Sequence, residues 1–389
     1  MANHYDITDI VEVKKREKRK KIIIRIVILA VIAIVAATAY FTKDLWLPKL
    51  RGIGKQYTTI INDGRLAEGN FPIEINSGVN YQAECVDDCV VVMNDAYIYF
   101  YGEEGGLIKK RQHAYTNAIM DTAGDKVLIY EHGGSRFSVE DRNGVIHSQQ
   151  TDENIIFARL SDEGYTAVVT NSQKYECEIS VYDSKGEIIY ERKCIQKVND
   201  INFTENSTGC IIGYIYAENG SLVTSVQEAV FTQNGEKWTS PGLETFGLDI
   251  YGFSGGAFVL GFDACGYVDT TGQISSFYHY DGDLADGASS NGQSAVIINS
   301  EDKRKYTMAL FDGGGKEPIT IGFETPLIDV EVSDGLAYVM TQNAVLAYDF
   351  TGSLRSTASV NDAYIGFIRS DSYVFLKSFS KIDRINYES

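Results

Sequence analysis

The chain has 389 residues, 44% hydrophobic and 12% aromatic, with abundant Gly and Tyr and five Pro, the composition of a folded globular protein and not of a disordered one. Its net charge of −18 is uneven, because eight Lys/Arg stand against four Asp/Glu up to Arg25 and the chain beyond therefore carries −22. So acidic a surface repels nucleic acid and anionic lipid headgroups, which leaves cations, neutral glycans and proteins as ligand classes.

Residues 1–21 form a basic tail that ends in Lys14-Lys15-Arg16-Glu17-Lys18-Arg19-Lys20-Lys21. Residues 22–42 follow, apolar save for Arg25, whose side chain can snorkel to the headgroups. At about 1.5 Å per residue this run spans a bilayer core of roughly 30 Å. Basic residues are sparser beyond it, at Lys43, Lys49 and Arg51, so the positive-inside bias keeps the N-terminus cytoplasmic, with Trp46 as an interfacial anchor. The expectation is a single-pass signal-anchor protein of the cell membrane with an extracellular C-terminal domain. The rival reading is a signal peptide cleaved after Ala39, since Ala37-Thr38-Ala39 fits the small-residue pattern. A charge run beside such a helix serves as a topology signal before it serves as a binding patch.

Residues 43–70, with Gly52, Gly54, Asp63 and Gly64, read as stalk and lead-in to a domain over 71–389. From residue 80 short Val/Ile/Tyr/Phe-rich runs alternate with Gly, Asn, Asp and Ser, and no helical period is sustained, so the domain is expected to be all-β. Two turns recur alternately. A Ser/Asp-rich turn appears eight times: near Asp87-Asp88, 121–124, Ser161 to Gly164, 204–209, Ser254-Gly255-Gly256, Ser290-Asn291-Gly292, Ser333-Asp334-Gly335 and Ser370-Asp371. An Asp-x-x-Gly hairpin, clearest at Asp183-Ser184-Lys185-Gly186, appears seven times, ending also at Gly105 or Gly106, Gly144, Gly235, Gly272, Gly314 and Gly352. A period of about 40 residues is that of four-stranded propeller blades. The eighth unit is one strand short, and Phe71-Pro72-Ile73-Glu74-Ile75 is a free strand at the other end. The expected fold is an eight-bladed β-propeller, alternatively seven-bladed, closed by pairing of the N- and C-terminal strands, with Pro72 tolerated at an edge.

The hairpins at Tyr182 to Gly186, Val268-Asp269-Thr270-Thr271-Gly272 and Tyr348-Asp349-Phe350-Thr351-Gly352 resemble those of quinoprotein-type propellers and of outer-membrane assembly scaffolds such as BamB. Quinoprotein enzymes place a Trp after each such turn, and here only Gly235-Glu236-Lys237-Trp238 echoes that, which argues against enzymatic kinship; no Trp-Asp dipeptide supports WD40 repeats. The layout of basic tail, anchor, Gly69-Asn70-Phe71-Pro72-Ile73 and blade array is similar to the bacterial domain of unknown function 5711 family of Gram-positive anaerobes. The resemblance implies a membrane-anchored propeller and carries no site residues. A bacterial source makes the sequons at Asn202, Asn206 and Asn219 irrelevant.

Motifs for chemistry are sparse. Gly252-Phe253-Ser254-Gly255-Gly256 matches a nucleophile elbow, but no helix follows and Ser254 occupies a repeat turn. His113, His132, His147 and His279 lack metal-ligand spacing, so neither a metal nor a cofactor is expected. Gly313-Gly314-Gly315 and the run Ser300 to Lys305 read as hairpin tips. Asp281-Gly282-Asp283-Leu284-Ala285-Asp286-Gly287 groups three carboxylates without the spacing of an EF-hand. It reads as the longest non-strand insertion between blades, and with Tyr278 and Tyr280 beside it, Tyr278, Tyr280, Asp281, Asp283 and Asp286 are the candidate contact residues for a protein or glycan. Cys85 with Cys89, and Cys177 with Cys194, are spaced for disulfides, although a domain of this size does not need them and buried free thiols fit equally well. The functional expectation is a non-enzymatic protein- or glycan-binding scaffold at the cell surface; the alternative is an extracytoplasmic hydrolase or lyase with its site in the central channel.

Overall fold

The computed structural model describes residues 60–62, 69–75, 80–232, 235–361, 363–370 and 373–386. The expected tail 1–21, the span 22–42 with Ala39, and most of the lead-in 43–70 lie outside the described residues. Among the described residues there is no helix.

The strands form eight sheets, each a blade. Seven are antiparallel meanders built in chain order, over 81–112, 118–150, 155–194, 197–239, 247–279, 283–323 and 327–359. We number them blades 1 to 7. Blade 8 combines Gly366–Arg369, Tyr373–Lys377 and Lys381–Asn386 with the N-terminal strand Ile73–Glu74, which pairs antiparallel through Ile73 and Ile382. The seven-bladed alternative is thereby excluded, and ring closure follows the expected scheme. Ile60–Asn62 adds a fifth strand to blade 7, parallel to its outer strand Leu354–Ser359.

Burial explains why these segments are strands. The second strand of each blade is packed on both faces, and its sequence is a near-continuous apolar run, as in Cys89–Asn94, Gly256–Gly261 and Leu336–Thr341. Outer strands such as Leu107–Gln112 and Val145–Gln150 are exposed and polar-rich. The apolar residues gather into eight clusters, each a wedge between two neighbouring blades. The last wedge joins blades 8 and 1 and seats Ile73 and Ile382 against Val90 and Val92. The core is thus a closed ring of wedges.

The repeated turns have one chemistry. At Asp183 the backbone carbonyl accepts from the Gly186 N–H, while its carboxylate accepts from the N–H groups of Lys185 and Glu187. Asp269 and Asp349 repeat this with residues two and four further on. Gly186 has φ of 84°, a conformation glycine adopts without strain.

The segment 281–287 departs from expectation. Asp283–Ser290 is the innermost strand of blade 6, paired with Gln293–Ser300, and not a loop insertion. Its Asp and Gly content reads as loop, yet Gly287 lies tight against blade 5: a Cβ there would meet Leu260 Cδ1 at 2.6 Å, and that side chain would have to shift.

Candidate functional site in the central channel

Neighbouring innermost strands touch all the way round the ring, so they wall a central channel. In blades 4 to 7 each of these strands shifts register near its start, between Val198 and Asp200, Gly247 and Asp249, Leu284 and Asp286, and Leu327 and Asp329. Such a bulge re-aims the following side chain. Each time that side chain is an aspartate, and Asp121 and Glu84 extend the series through blades 2 and 1.

Most of these carboxylates clasp the next blade. Asp121 accepts from the Leu160 N–H at 2.7 Å, Asp200 from Ile250 at 2.8 Å, Asp286 from Val330 at 3.1 Å and Asp329 from Phe367 at 2.9 Å. Gln82 and Asn202 do likewise to Met120 and Gly252. These bonds fix blade spacing and leave further oxygen lone pairs to face the channel.

The acids fall into two groups. In the first, Arg159 of blade 3 donates through Nε to Asp200 at 2.8 Å and lies 3.7 Å from Asp249 and 4.0 Å from Asp121, so one guanidinium joins blades 2 to 5. Burial raises the Asp200 carboxyl to about 6 against the opposing pull of Arg159. Burial likewise raises Asp121 and Asp249, again opposed by Arg159. With Glu84, Asp162, Glu163 and Glu205 these residues line an open cleft of about 730 Å³.

In the second group Asp286 and Asp329 approach within hydrogen-bonding reach. Burial first, then the hydrogen bond and negative charge of Asp329, push Asp286 up to about 7. Glu331 is also pushed to about 7 by burial, opposed by Arg369 and reinforced by Glu84 and Asp329. Burial raises Glu84, opposed by Lys377. Near neutral pH this side of the channel therefore holds protons on carboxyl groups that in water would be ionised.

Of the residues singled out from sequence, Asp286 alone joins the channel acids. The others lie along the path from the rim of blade 5 to the axis. Tyr278 is in the outer strand Ile274–His279 and packs on Phe311, with ring centroids 5.6 Å apart. Tyr280 is largely buried and its N–H donates to the Asp263 carbonyl. Asp281 is held by Lys303 and, at 2.8 Å, by Lys305, while Asp283 is exposed. Ser254 occupies the turn between Gly247–Phe253 and Gly256–Gly261.

All six cysteines are free thiols. Cys85 and Cys89 are not placed to bridge: Cys85 pairs with Val90 and Cys89 with Val86, so their side chains point to opposite faces of blade 1 and into different wedges. Cys177 and Cys194 are direct cross-strand partners in blade 3. Among the described residues no three His, Cys, Asp or Glu side chains are grouped to hold a metal ion.

Residues 68–242 match DUF5711, a family of unknown function. The chain resembles DUF5711 over blades 1 to 4, since the match closes where blade 4 closes. No curated protein matches the sequence. Among solved structures the chain is similar to BamB from Moraxella catarrhalis, at 13% identity and a TM-score of 0.54, covering 82% of this chain and 100% of that one. It is similar to the computationally designed Ika8 protein at 11% identity and a TM-score of 0.62, covering 84% and 99%. It is also similar to Sqt1 from Saccharomyces cerevisiae at 10% identity and a TM-score of 0.57, covering 83% and 100%. At these identities the likeness establishes the propeller fold, in agreement with the BamB-like reading of the hairpins.

Sequence reasoning did not reach the channel acids. The available signal was the return of Asp in the innermost strands of blades 2 and 4 to 7, at 121, 200, 249, 286 and 329, with Arg159 in the intervening blade 3.

Proposed function

We propose that this chain is a propeller tethered to the outer face of the cell membrane by residues 22–42, with a cytoplasmic N-terminus, and that it serves as a non-enzymatic scaffold for a protein or cell-wall glycan. The observation that carries the reading is the open acidic cleft at the channel, walled by Glu84, Asp121, Asp200 and Asp249 with Glu163 and Glu205 beside it. The cleft favours a cationic partner segment, whose Lys or Arg side chains would meet a concave negative field. The shared propeller fold and the net charge of −22 beyond Arg25 support the same reading. The test is crosslinking on intact cells producing affinity-tagged full-length chain, then mass spectrometry of attached proteins and glycans, beside Glu163→Lys/Glu205→Lys. A partner captured by the native chain and lost from the variant supports the scaffold; capture unchanged by the charge reversal rejects the cleft as the contact. External protease that leaves the C-terminal domain intact on whole cells, but degrades it after lysis, would reject the topology.

A second reading has a specific observation behind it: Asp286, raised to about 7 beside Asp329, is suited to act as the general acid or base of a channel hydrolase or lyase. Asp286→Asn separates the two, because it leaves partner capture intact in the scaffold reading and abolishes turnover of any glycan or peptide cleaved by the native chain in the other.

A further inference from the structure

Blade 3 contains two thiols arranged for a reaction. Its hairpin is formed by Cys177–Tyr182 and Ile188–Cys194, closed at one end by the Asp183–Gly186 turn and open at the other. At that open end Cys177 and Cys194 face each other directly in antiparallel register. Residues so paired have Cα atoms about 4.5–5.5 Å apart, inside the range a disulfide spans. The side chains of a cross-strand pair share one face of the sheet, and both thiols enter the same wedge between blades 3 and 4, at 1% and 3% exposure. Solvent is one residue away, since Glu176 and Ile195 are exposed, Ile195 at 83%. Modest fraying of the open end therefore brings the pair to water.

We propose that Cys177 and Cys194 are a redox-active pair that closes to a cross-strand disulfide when the protein meets a low-molecular-weight disulfide such as oxidised glutathione. The Cys177 thiolate attacks one sulfur of oxidised glutathione and expels one glutathione thiolate. Cys194 loses its proton to solvent and its thiolate attacks the Cys177 sulfur of the mixed disulfide, expelling the second. Two protein thiols and one oxidised glutathione thus become one protein disulfide and two reduced glutathiones. Cys177 is assigned the first attack because the neighbouring Cys194 favours its thiolate, whereas Cys177 and burial together hold the proton on Cys194; as a thiol Cys177 donates to the Gln196 carbonyl at 3.9 Å. Bridging locks the outer strand of blade 3, and with it Arg192, which pairs with Glu236 of blade 4 at 2.9 Å. Cys210 is in the same wedge, on the second strand of blade 4, without a cross-strand partner thiol. The inference does not depend on the partner or the chemistry of the channel.

The experiment equilibrates the full-length chain in detergent with glutathione buffers from fully reduced to fully oxidised, then quenches, unfolds, alkylates and weighs it. Of the six cysteines, four are expected to be alkylated at the oxidised end, with one peptide pair linking Cys177 to Cys194. Cys177→Ser and Cys194→Ser should each remove that link, Cys210→Ala should retain it, and Tm of the native chain should fall by a few degrees on adding reductant while that of Cys194→Ser does not move. Six alkylated thiols throughout, a link to Cys210, or a lasting glutathione adduct on either residue would each overturn the proposal.

Discussion

The carboxyl of Asp286 illustrates how one residue couples the channel to pH. It accepts hydrogen bonds from the N–H groups of Gly287 and Val330, and burial, reinforced by the neighbouring Asp329, raises it from the usual aspartate value to about 7. A carboxyl raised in the folded state binds the proton more tightly there than in the unfolded chain, so folding is helped at pH below about 4 and that help is lost as pH climbs through about 7. Glu84, Glu331, Lys377 and Arg369 surround this part of the channel, and the raised Glu331 acts in the same direction. Asp286→Asn removes the titrating carboxyl and keeps one oxygen for the Val330 N–H, at the cost of the bond from the Gly287 N–H. Relative to the native chain the variant should gain roughly 1–2 kcal/mol of stability between pH 4 and pH 8. Denaturant unfolding at the two pH values measures this; an equal difference at both would reject the raised carboxyl of Asp286.

At the scale of elements the two terminal strands do different work. Ile73–Glu74 completes blade 8, and the surroundings of that strand tie it further: Arg384 stacks on Tyr373 at 4.1 Å and lies 3.1 Å from Glu104, whose carbonyl accepts from the Asn70 N–H. A chain beginning at residue 80 loses Phe71 and Ile73 from the wedge between blades 8 and 1 and bares the edge of Lys381–Asn386. Removing two large apolar side chains costs roughly 3–5 kcal/mol, and an uncovered edge invites pairing between molecules. Size-exclusion chromatography with light scattering should find oligomers and a lowered unfolding midpoint; a monodisperse monomer of native stability would show that closure is dispensable. The strand chemistry was legible in places and illegible in others for definite reasons. The Asp-x-x-Gly hairpins are local devices, settled by residues within five positions of one another. Asp283–Ser290 was unreadable because strand propensity is weak and its pairing partners and the Leu260 contact lie elsewhere in the chain.

At the scale of the molecule Arg159 is the residue whose effect is least local. It joins four blades through Asp121, Asp200 and Asp249, and its loss leaves Asp200, 3% exposed, as a buried charge without its counterion. Arg159→Ala should destabilise the ring by about 3–5 kcal/mol, and Arg159→Met combined with Asp200→Asn should recover most of that because charge and counterion leave together. Thermal unfolding of the three chains reads the difference; equal losses in the single and double variants would contradict the buried-charge account.

By itself the sequence determined the all-β class and the Asp-centred hairpins and pointed to a repeat of about 40 residues closed by Phe71 to Ile75, because each is written in turn chemistry or in a period that neighbouring residues carry, while the choice of eight blades over seven came with the closed ring. Only the tertiary structure decided that aspartates from successive blades meet in one channel, that Arg159 pairs with acids from three other blades, that Cys85 and Cys89 face apart while Cys177 and Cys194 face together, and that 281–287 leads into a strand. Those outcomes depend on bulges, register and the closing of a ring, which bring together side chains separated by tens to hundreds of residues, and no local pattern encodes that distance.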